Sequence, residues 1–165
     1  KAFAFDVDGV FTDGTVIATE SGDLLRSHNA KDGYAVKIAT TLGFPIAIIT
    51  GGSSESIKKR FEPIGIPSED IYLKSLAKSE PFNEFCRRYN LDPSEVLYMG
   101  DDLPDIVIMK QCGIATCPAD AVNEVKEVSE YISIFDGGKG CVRDVIEQTL
   151  KVQNKWGINQ SKSSE

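Results

Sequence analysis

The sequence predicts an α/β fold, a parallel sheet flanked by helices. Two observations predict it: short apolar runs alternate with amphipathic stretches along the chain, and the apolar runs are compact, as strands covered on both faces require. With 165 residues, the chain is long enough for one domain with a core that folds unaided.

The elements follow in order. Strands are expected at Ala2–Phe5, Pro45–Ile49, Ile71–Leu73, Val96–Met99 and Ile114–Thr116, each a compact apolar run of the kind required by a sheet covered on both faces. Helices are expected at Asp32–Leu42, Ser54–Ile64, Lys78–Tyr89, Leu103–Cys112 and Arg143–Val152. Ser53-Ser54-Glu55 supplies a cap for the second, and Asn90-Leu91-Asp92-Pro93 a stop after the third. Residues 15–28, "TVIATESGDLLRSH", carry strand-like runs on either side of Glu20-Ser21-Gly22-Asp23 and read as a hairpin inserted after the first strand. There are no internal repeats. The domain is expected to span 1–155, with 156–165, ending in "NQSKSSE", a flexible tail.

Composition excludes several classes of partner. A formal net charge of −7 argues against nucleic acid or an anionic membrane surface, which demand a basic stripe. Cys86, Cys112, Cys117 and Cys141 form no CxxC pair, so neither a zinc site nor a disulfide framework is expected. Cys112 and Cys117 read as core. No apolar run has the length of a membrane span, and no charged-then-apolar signal segment precedes the first strand. The expected compartment is the cytoplasm, with reduced thiols.

In open parallel sheets, ligands collect at the carboxyl ends of the strands. The residues there are Asp6-Val7-Asp8-Gly9, Thr50-Gly51-Gly52-Ser53, Lys74 and Lys78, and Gly100-Asp101-Asp102-Leu103-Pro104-Asp105. Converging, they make a pocket of carboxylates, a hydroxyl, backbone amides at a helix start and an ammonium. Oxygen ligands without a histidine or cysteine cluster suit magnesium better than zinc. A phosphate dianion approaching an aspartate meets repulsion of about 4 kcal/mol per charge pair at an effective dielectric near 20, which a bridging Mg2+ cancels. Thr50, the Gly51 amide and the helix start near Ser54 suit the remaining phosphate oxygens, and Lys78 adds a point charge.

DxD after the first strand, a hydrophobic run with Thr-Gly after the second, a lysine at a helix start and GDDLPD after the fourth resemble, in this order, the haloacid dehalogenase superfamily of phosphatases. The resemblance spans nearly the whole chain. It implies a Rossmann-like sheet with Asp6 as the nucleophile that accepts the phosphoryl group. Asp8 is then the acid that protonates the leaving oxygen and the base that activates water. It also implies Mg2+ held by Asp6, the Asp8 backbone carbonyl and Asp101, with Asp102 or Asp105 in support, and Thr50 and Lys78 as further catalytic residues.

Spacing bears on the subclass. The first inter-motif gap holds only the hairpin and one helix, and 22 residues (Ser79–Gly100) separate Lys78 from Asp101. Neither gap holds a cap domain, so the site is expected to be open, closed by a neighbouring subunit with the hairpin as a contact surface. With "NAKDGYAV" at 29–36 and "GGKGCVRDV" at 137–145, this architecture is similar to the 3-deoxy-D-manno-octulosonate 8-phosphate phosphatases, tetrameric enzymes of lipopolysaccharide precursor synthesis. That resemblance implies a phosphorylated sugar acid as substrate, bordered by Asn29, Ala30, Lys31, Asp32, Gly33, Lys37, Gly51, Gly52, Arg60 and Lys78 besides Asp8. It also implies that Gly137–Gly140 reaches the active site of an adjacent subunit. Lys31 replaces a frequent arginine. Gly52 stands where many of these enzymes have arginine and the related nonulosonate 9-phosphate phosphatases have glutamate, so the nine-carbon acid is the alternative substrate, and Arg60 an alternative carboxylate contact. A non-catalytic, phosphatase-like oligomerisation domain is the alternative of another class. His28 is expected at the substrate rim or in a structural role, and Trp156 in packing or a subunit contact.

Overall fold

The computed structural model describes residues 1–157; of the expected tail, 158–165 lie outside the described residues. Six parallel strands form the main sheet in the order β5-β4-β1-β6-β7-β8. They are β1 (Ala2–Phe5), β4 (Ile46–Ile49), β5 (Ile71–Tyr72), β6 (Val96–Met99), β7 (Ile114–Cys117) and β8 (Tyr131–Ile132). β1 lies centrally: Phe5 pairs with Ile48 on one side and Met99 on the other. Its four residues are buried, as a strand covered on both faces requires.

Alternation along the strands sorts the core into two layers. Phe3, Phe5, Ile46, Ile48, Leu97 and Met99 face one cluster, with α1 (Ala30–Thr41), α2 (Glu55–Phe61) and α6 (Cys141–Val152). Ala2, Ala4, Ala47, Ile49, Val96 and Tyr98 face the other, with α3 (Ser79–Arg88), α4 (Ile106–Met109) and α5 (Asn123–Val128). Small alanines on the second face let α3 approach closely. On the first face a chain of rings runs outward from Phe5 through Phe11 and Phe61 to His28, with centroids 5.4, 4.7 and 5.7 Å apart.

The hairpin is present as β2 (Ile17–Ala18) and β3 (Leu24–Leu25), antiparallel and separate from the main sheet. Ile17, Leu24 and Leu25 are exposed. No segment between the strands forms a separate cap.

Several expected boundaries move for local reasons. The helix expected at Leu103–Cys112 is a 3-10 turn, Leu103–Asp105, followed by the single turn α4, because Asp102 and Asp105 form a capping box around Pro104 that starts a fresh turn. The helix expected at Ser54–Ile64 ends at Phe61 and continues as a 3-10 turn, Glu62–Ile64, where Pro63 supplies no amide. α1 begins two residues early because Asn29 caps it, accepting from the Lys31 amide at 2.8 Å. α5 and β8 were not expected, since Asn123–Ile132 has no run long enough to register. Cys117 is buried and Cys112 half-buried. Trp156 packs on the first core layer under the Arg143 guanidinium, 5.4 Å from the ring centroid.

Candidate active site

The loop after β1 is wound tightly around Asp6. The Asp6 amide donates to Met99 O at 3.1 Å, its Oδ1 accepts from the Val7 amide at 2.7 Å, and Val7 O accepts from the amides of Val10, Phe11 and Thr12. Asp6 is thereby fixed at the sheet edge beside Asp101. Gly9 has φ +79°, and a Cβ there would lie 1.9 Å from Asp101 Oδ2; only glycine lets the two acidic loops meet.

Asp6, Asp101 and Asp105 each bring a carboxylate oxygen within 4.8 Å of the others. Lys78 Nζ stands 2.9 Å from Asp6 Oδ2 and 2.7 Å from Asp105 Oδ1. Burial pushes the Asp6 carboxyl up to about 7, with Asp105 adding repulsion and Lys78 opposing it. Asp101 is pushed up to about 8 by burial and then by Asp6 and Asp105. Burial alone would lower the Lys78 ammonium, yet Asp6 and Asp105 outweigh it and hold it above the ordinary lysine value. Three carboxylates thus share one ammonium, a charge imbalance that a hard cation relieves.

The three acids are not equivalent. Asp105 is fully buried, and its oxygens already accept from Lys78, the Tyr98 hydroxyl at 2.6 Å and the amides of Asp101 and Asp102 at 2.9 and 3.2 Å. It braces the acidic loop from behind. Asp6 and Asp101 line the cleft, and each Asp6 oxygen carries a single contact, from the Val7 amide or Lys78, that leaves a second lone pair, so the donor set fits a metal ion.

Thr50 is held at the end of β4 by its amide, which donates to Tyr72 O, and by its carbonyl, which accepts from the Ser75 amide. Its Oγ1 accepts from the Gly52 amide at 3.1 Å. These residues converge on a cleft of about 360 Å³ lined by Asp6, Asp8, Gly9, Gly14, Thr50, Gly51, Gly52, Ser75, Leu76, Lys78, Asp101, Asp102 and Pro104. A phosphoryl group fits this space with carboxylates, a lysine and a hydroxyl around it. A second, apolar hollow of about 320 Å³, between Leu97, Ile114, Tyr131 and α6, is lined by no carboxylate and shares no lining residue with this cleft.

The expected residues divide accordingly. Asp6, Asp8, Thr50, Gly51, Gly52, Lys78 and Asp101 line one cleft. Asn29, Ala30, Lys31, Asp32, Gly33, Lys37 and Arg60 do not. Asp32 is fully buried and accepts from the Arg143 amide at 2.9 Å, capping α6, whose own N-cap is Gly140. Burial raises its carboxyl, against the hydrogen bonds of the Arg143 and Gly140 amides. Asp32, expected at the substrate, ties α1 to α6 in this chain. Arg60 lies over Gly33, its Nη2 2.1 Å from where a Cβ would stand, while Ala30, Lys31 and Lys37 are exposed on α1.

Gly137–Gly140, expected to reach a neighbouring subunit, packs on the chain's own loop after β1. The Gly138 amide donates to Val10 O at 2.9 Å, Asn29 Nδ2 donates to Gly138 O, and a Cβ on Gly137 would lie 2.0 Å from Gly9 O. His28 is half-buried, edge-on to Phe61. Burial lowers its pKa, reinforced by Arg60 and Arg26.

Sequence reasoning missed Arg26, Ser75, Leu76 and Tyr98. Arg26 is the most consequential: Nε donates to Asp8 Oδ1 at 2.6 Å and Nη2 to Asp8 Oδ2 at 3.2 Å. Its position in the hairpin, with no motif around it, carried no signal.

Residues 30–113 match the haloacid dehalogenase-like hydrolase family. The chain is 33% identical over 155 residues to 3-deoxy-D-manno-octulosonate 8-phosphate phosphatase KdsC of Escherichia coli K12, covering 94% of this chain and 81% of that one. Among solved structures it is similar to the Yersinia pestis 3-deoxy-D-manno-octulosonate 8-phosphate phosphatase (TM-score 0.90, 32% identity, 93% and 82% coverage). It is equally similar to the Moraxella catarrhalis enzyme in complex with magnesium, phosphate and KDO (TM-score 0.89, 32% identity, 93% and 87% coverage). With the acidic site, the uncapped parallel sheet and these matches together, the chain belongs to the haloacid dehalogenase-like hydrolase family, as one of its phosphoric monoester hydrolases.

Proposed function

We propose that this protein is a magnesium-dependent phosphatase that hydrolyses 3-deoxy-D-manno-octulosonate 8-phosphate to the free sugar acid and phosphate, serving lipopolysaccharide precursor synthesis in the cytoplasm as a homotetramer. The observation that carries the reading is the Asp6–Asp101–Lys78 cluster on the wall of an open cleft, in a chain one third identical to phosphatases of that substrate. No helix among the described residues is long and apolar enough to cross a membrane.

In the proposed reaction an Asp6 carboxylate oxygen attacks phosphorus, the bond from phosphorus to the sugar oxygen breaks, and Asp8 gives that oxygen its proton. Water then attacks the phosphorus of the aspartyl phosphate while Asp8 takes a proton, releasing phosphate and restoring Asp6. Thr50 and the Gly51 amide hold phosphoryl oxygens, and Lys78 orients Asp6 while stabilising charge on the transferred group. Asp6, the Asp8 carbonyl and Asp101 would hold Mg2+, which when bound would supply positive charge against the repulsion between carboxylate and phosphate. Substrate positions beyond the phosphate are assigned to Asn29, Ala30, Lys31, Asp32, Gly33, Lys37, Gly52 and Arg60, with Asp32 acting through the α1–α6 tether. Closure of the cleft falls to a neighbouring subunit.

The test is phosphate release from eight- and nine-carbon keto-acid phosphates with Mg2+, compared with Asp6→Asn. Preference for the eight-carbon ester and loss of release in the variant, with its fold and assembly intact, are expected. A nine-carbon preference would reassign the substrate, and equal release by Asp6→Asn would remove the nucleophile.

A further inference from the structure

We infer that Arg26 is the specificity-determining cation of this site: it holds Asp8 while the cleft is empty and exchanges that partner for the carboxylate of the incoming sugar acid, freeing Asp8 for the leaving oxygen. The inference rests on the proposed function, because the acid is the substrate named there.

The Arg26 side chain is 5% exposed, so its charge is almost wholly withdrawn from water. Two of its nitrogens grip both oxygens of Asp8, the forked geometry that guanidinium groups make with carboxylates. The third, Nη1, is buried without a hydrogen-bond partner among the described residues. A buried donor without an acceptor is unfavourable, and a second carboxylate would satisfy it.

Its placement fits that role. Arg26 Nη2 is 3.1 Å from the position a Cβ would take on Gly52, beside Thr50 Oγ1. The missing side chain at position 52 thus leaves room at the rim of the phosphate cleft, and an arginine from the hairpin stands there. A phosphate seated between Asp6 and Thr50 leaves the rest of the substrate to exit past Asp8 and Gly52, toward Arg26. Lys78 is not available for the sugar carboxylate, being held at the phosphate end between Asp6 and Asp105. Nor can Asp8 serve freely at the leaving oxygen while both its oxygens accept from Arg26. Exchange of one carboxylate for another keeps the guanidinium paired throughout, so no buried charge is stranded.

The experiment compares wild type, Arg26→Lys and Arg26→Ala on octulosonate 8-phosphate and on arabinose 5-phosphate, a sugar phosphate without a carboxylate. In wild type, kcat/KM should favour the keto-acid ester by about a hundredfold. In Arg26→Ala that ratio should fall about tenfold or more, through a raised KM for the keto-acid ester, with partial recovery in Arg26→Lys. An unchanged ratio overturns the inference and leaves the proposed function standing, whereas no wild-type turnover of the keto-acid ester removes both. A crystal structure of the unmutated protein with Mg2+ and free octulosonate gives a readout that needs no variant: Arg26 on the sugar carboxylate is expected, and Arg26 still clamped on Asp8 with the acid bound overturns it.

Discussion

Tyr98 donates its hydroxyl hydrogen to Asp105 Oδ1 at 2.6 Å, with neither side chain reaching solvent. The bond joins the middle of the sheet to the acidic loop and explains why Asp105, though one of three clustered acids, acts as a brace. Removing the hydroxyl leaves a buried carboxylate short of a donor, so Tyr98→Phe should lower stability by about 1–3 kcal/mol. The acidic loop loosens with it, and turnover should fall about tenfold. Denaturant unfolding and steady-state kinetics read the two effects; wild-type values in both would mean that the bond braces nothing.

Asp8 tests the division of labour at the leaving oxygen. Asp8→Asn should slow hydrolysis of a sugar phosphate by about 10²–10⁴-fold, the usual contribution of a positioned acid or base. Loss should be smaller on p-nitrophenyl phosphate, whose leaving group departs without a proton. Equal losses on both esters would assign Asp8 to structure or metal alone.

The raised carboxyls of Asp6 and Asp101 set a pH dependence. Each holds its proton to a higher pH in the fold (about 7 and about 8) than when unfolded, so the metal-free fold gains its full contribution from them below about pH 4 and loses it as pH rises to 8. Mg2+ at the proposed site would compete with those protons and relieve the repulsion of the ionised cluster. The rise in melting temperature produced by Mg2+ over EDTA should therefore be larger at pH 8 than at pH 5, a few degrees or more. A rise independent of pH would separate the metal from these two acids.

Gly137 presses on Gly9 O with no space for a Cβ. Gly137→Ala should force the loop after Asp6 to move, costing about 1–3 kcal/mol and lowering kcat more than it raises KM. Thermal unfolding and kinetics measure both. A stable variant with full kcat would show that the loop does not depend on this contact.

The hairpin exposes Ile17 and Leu25 as a cross-strand pair, an apolar surface suited to a second copy. Replacing both with aspartate should reduce the proposed tetramer to smaller species in sedimentation, since charge would replace apolar surface at the contact. An unchanged sedimentation coefficient would move the interface elsewhere.

Short windows of sequence settled the strands that carry the site, because apolar runs such as Ala2–Phe5 and Val96–Met99 are buried on both faces whatever surrounds them. They also settled that Asp6, Asp8, Thr50, Lys78 and Asp101 meet, since each follows a strand or opens a helix and a parallel sheet gathers its strand ends at one edge. Partner choice was another matter. That Arg26 grips Asp8 across 18 residues, that Asp32 caps α6 across 111, and that Asp105 spends its oxygens on Lys78 and Tyr98 was decided only by tertiary packing. A side chain's charge is written in its residue type, but which opposite charge it meets depends on distances between segments that no local pattern encodes.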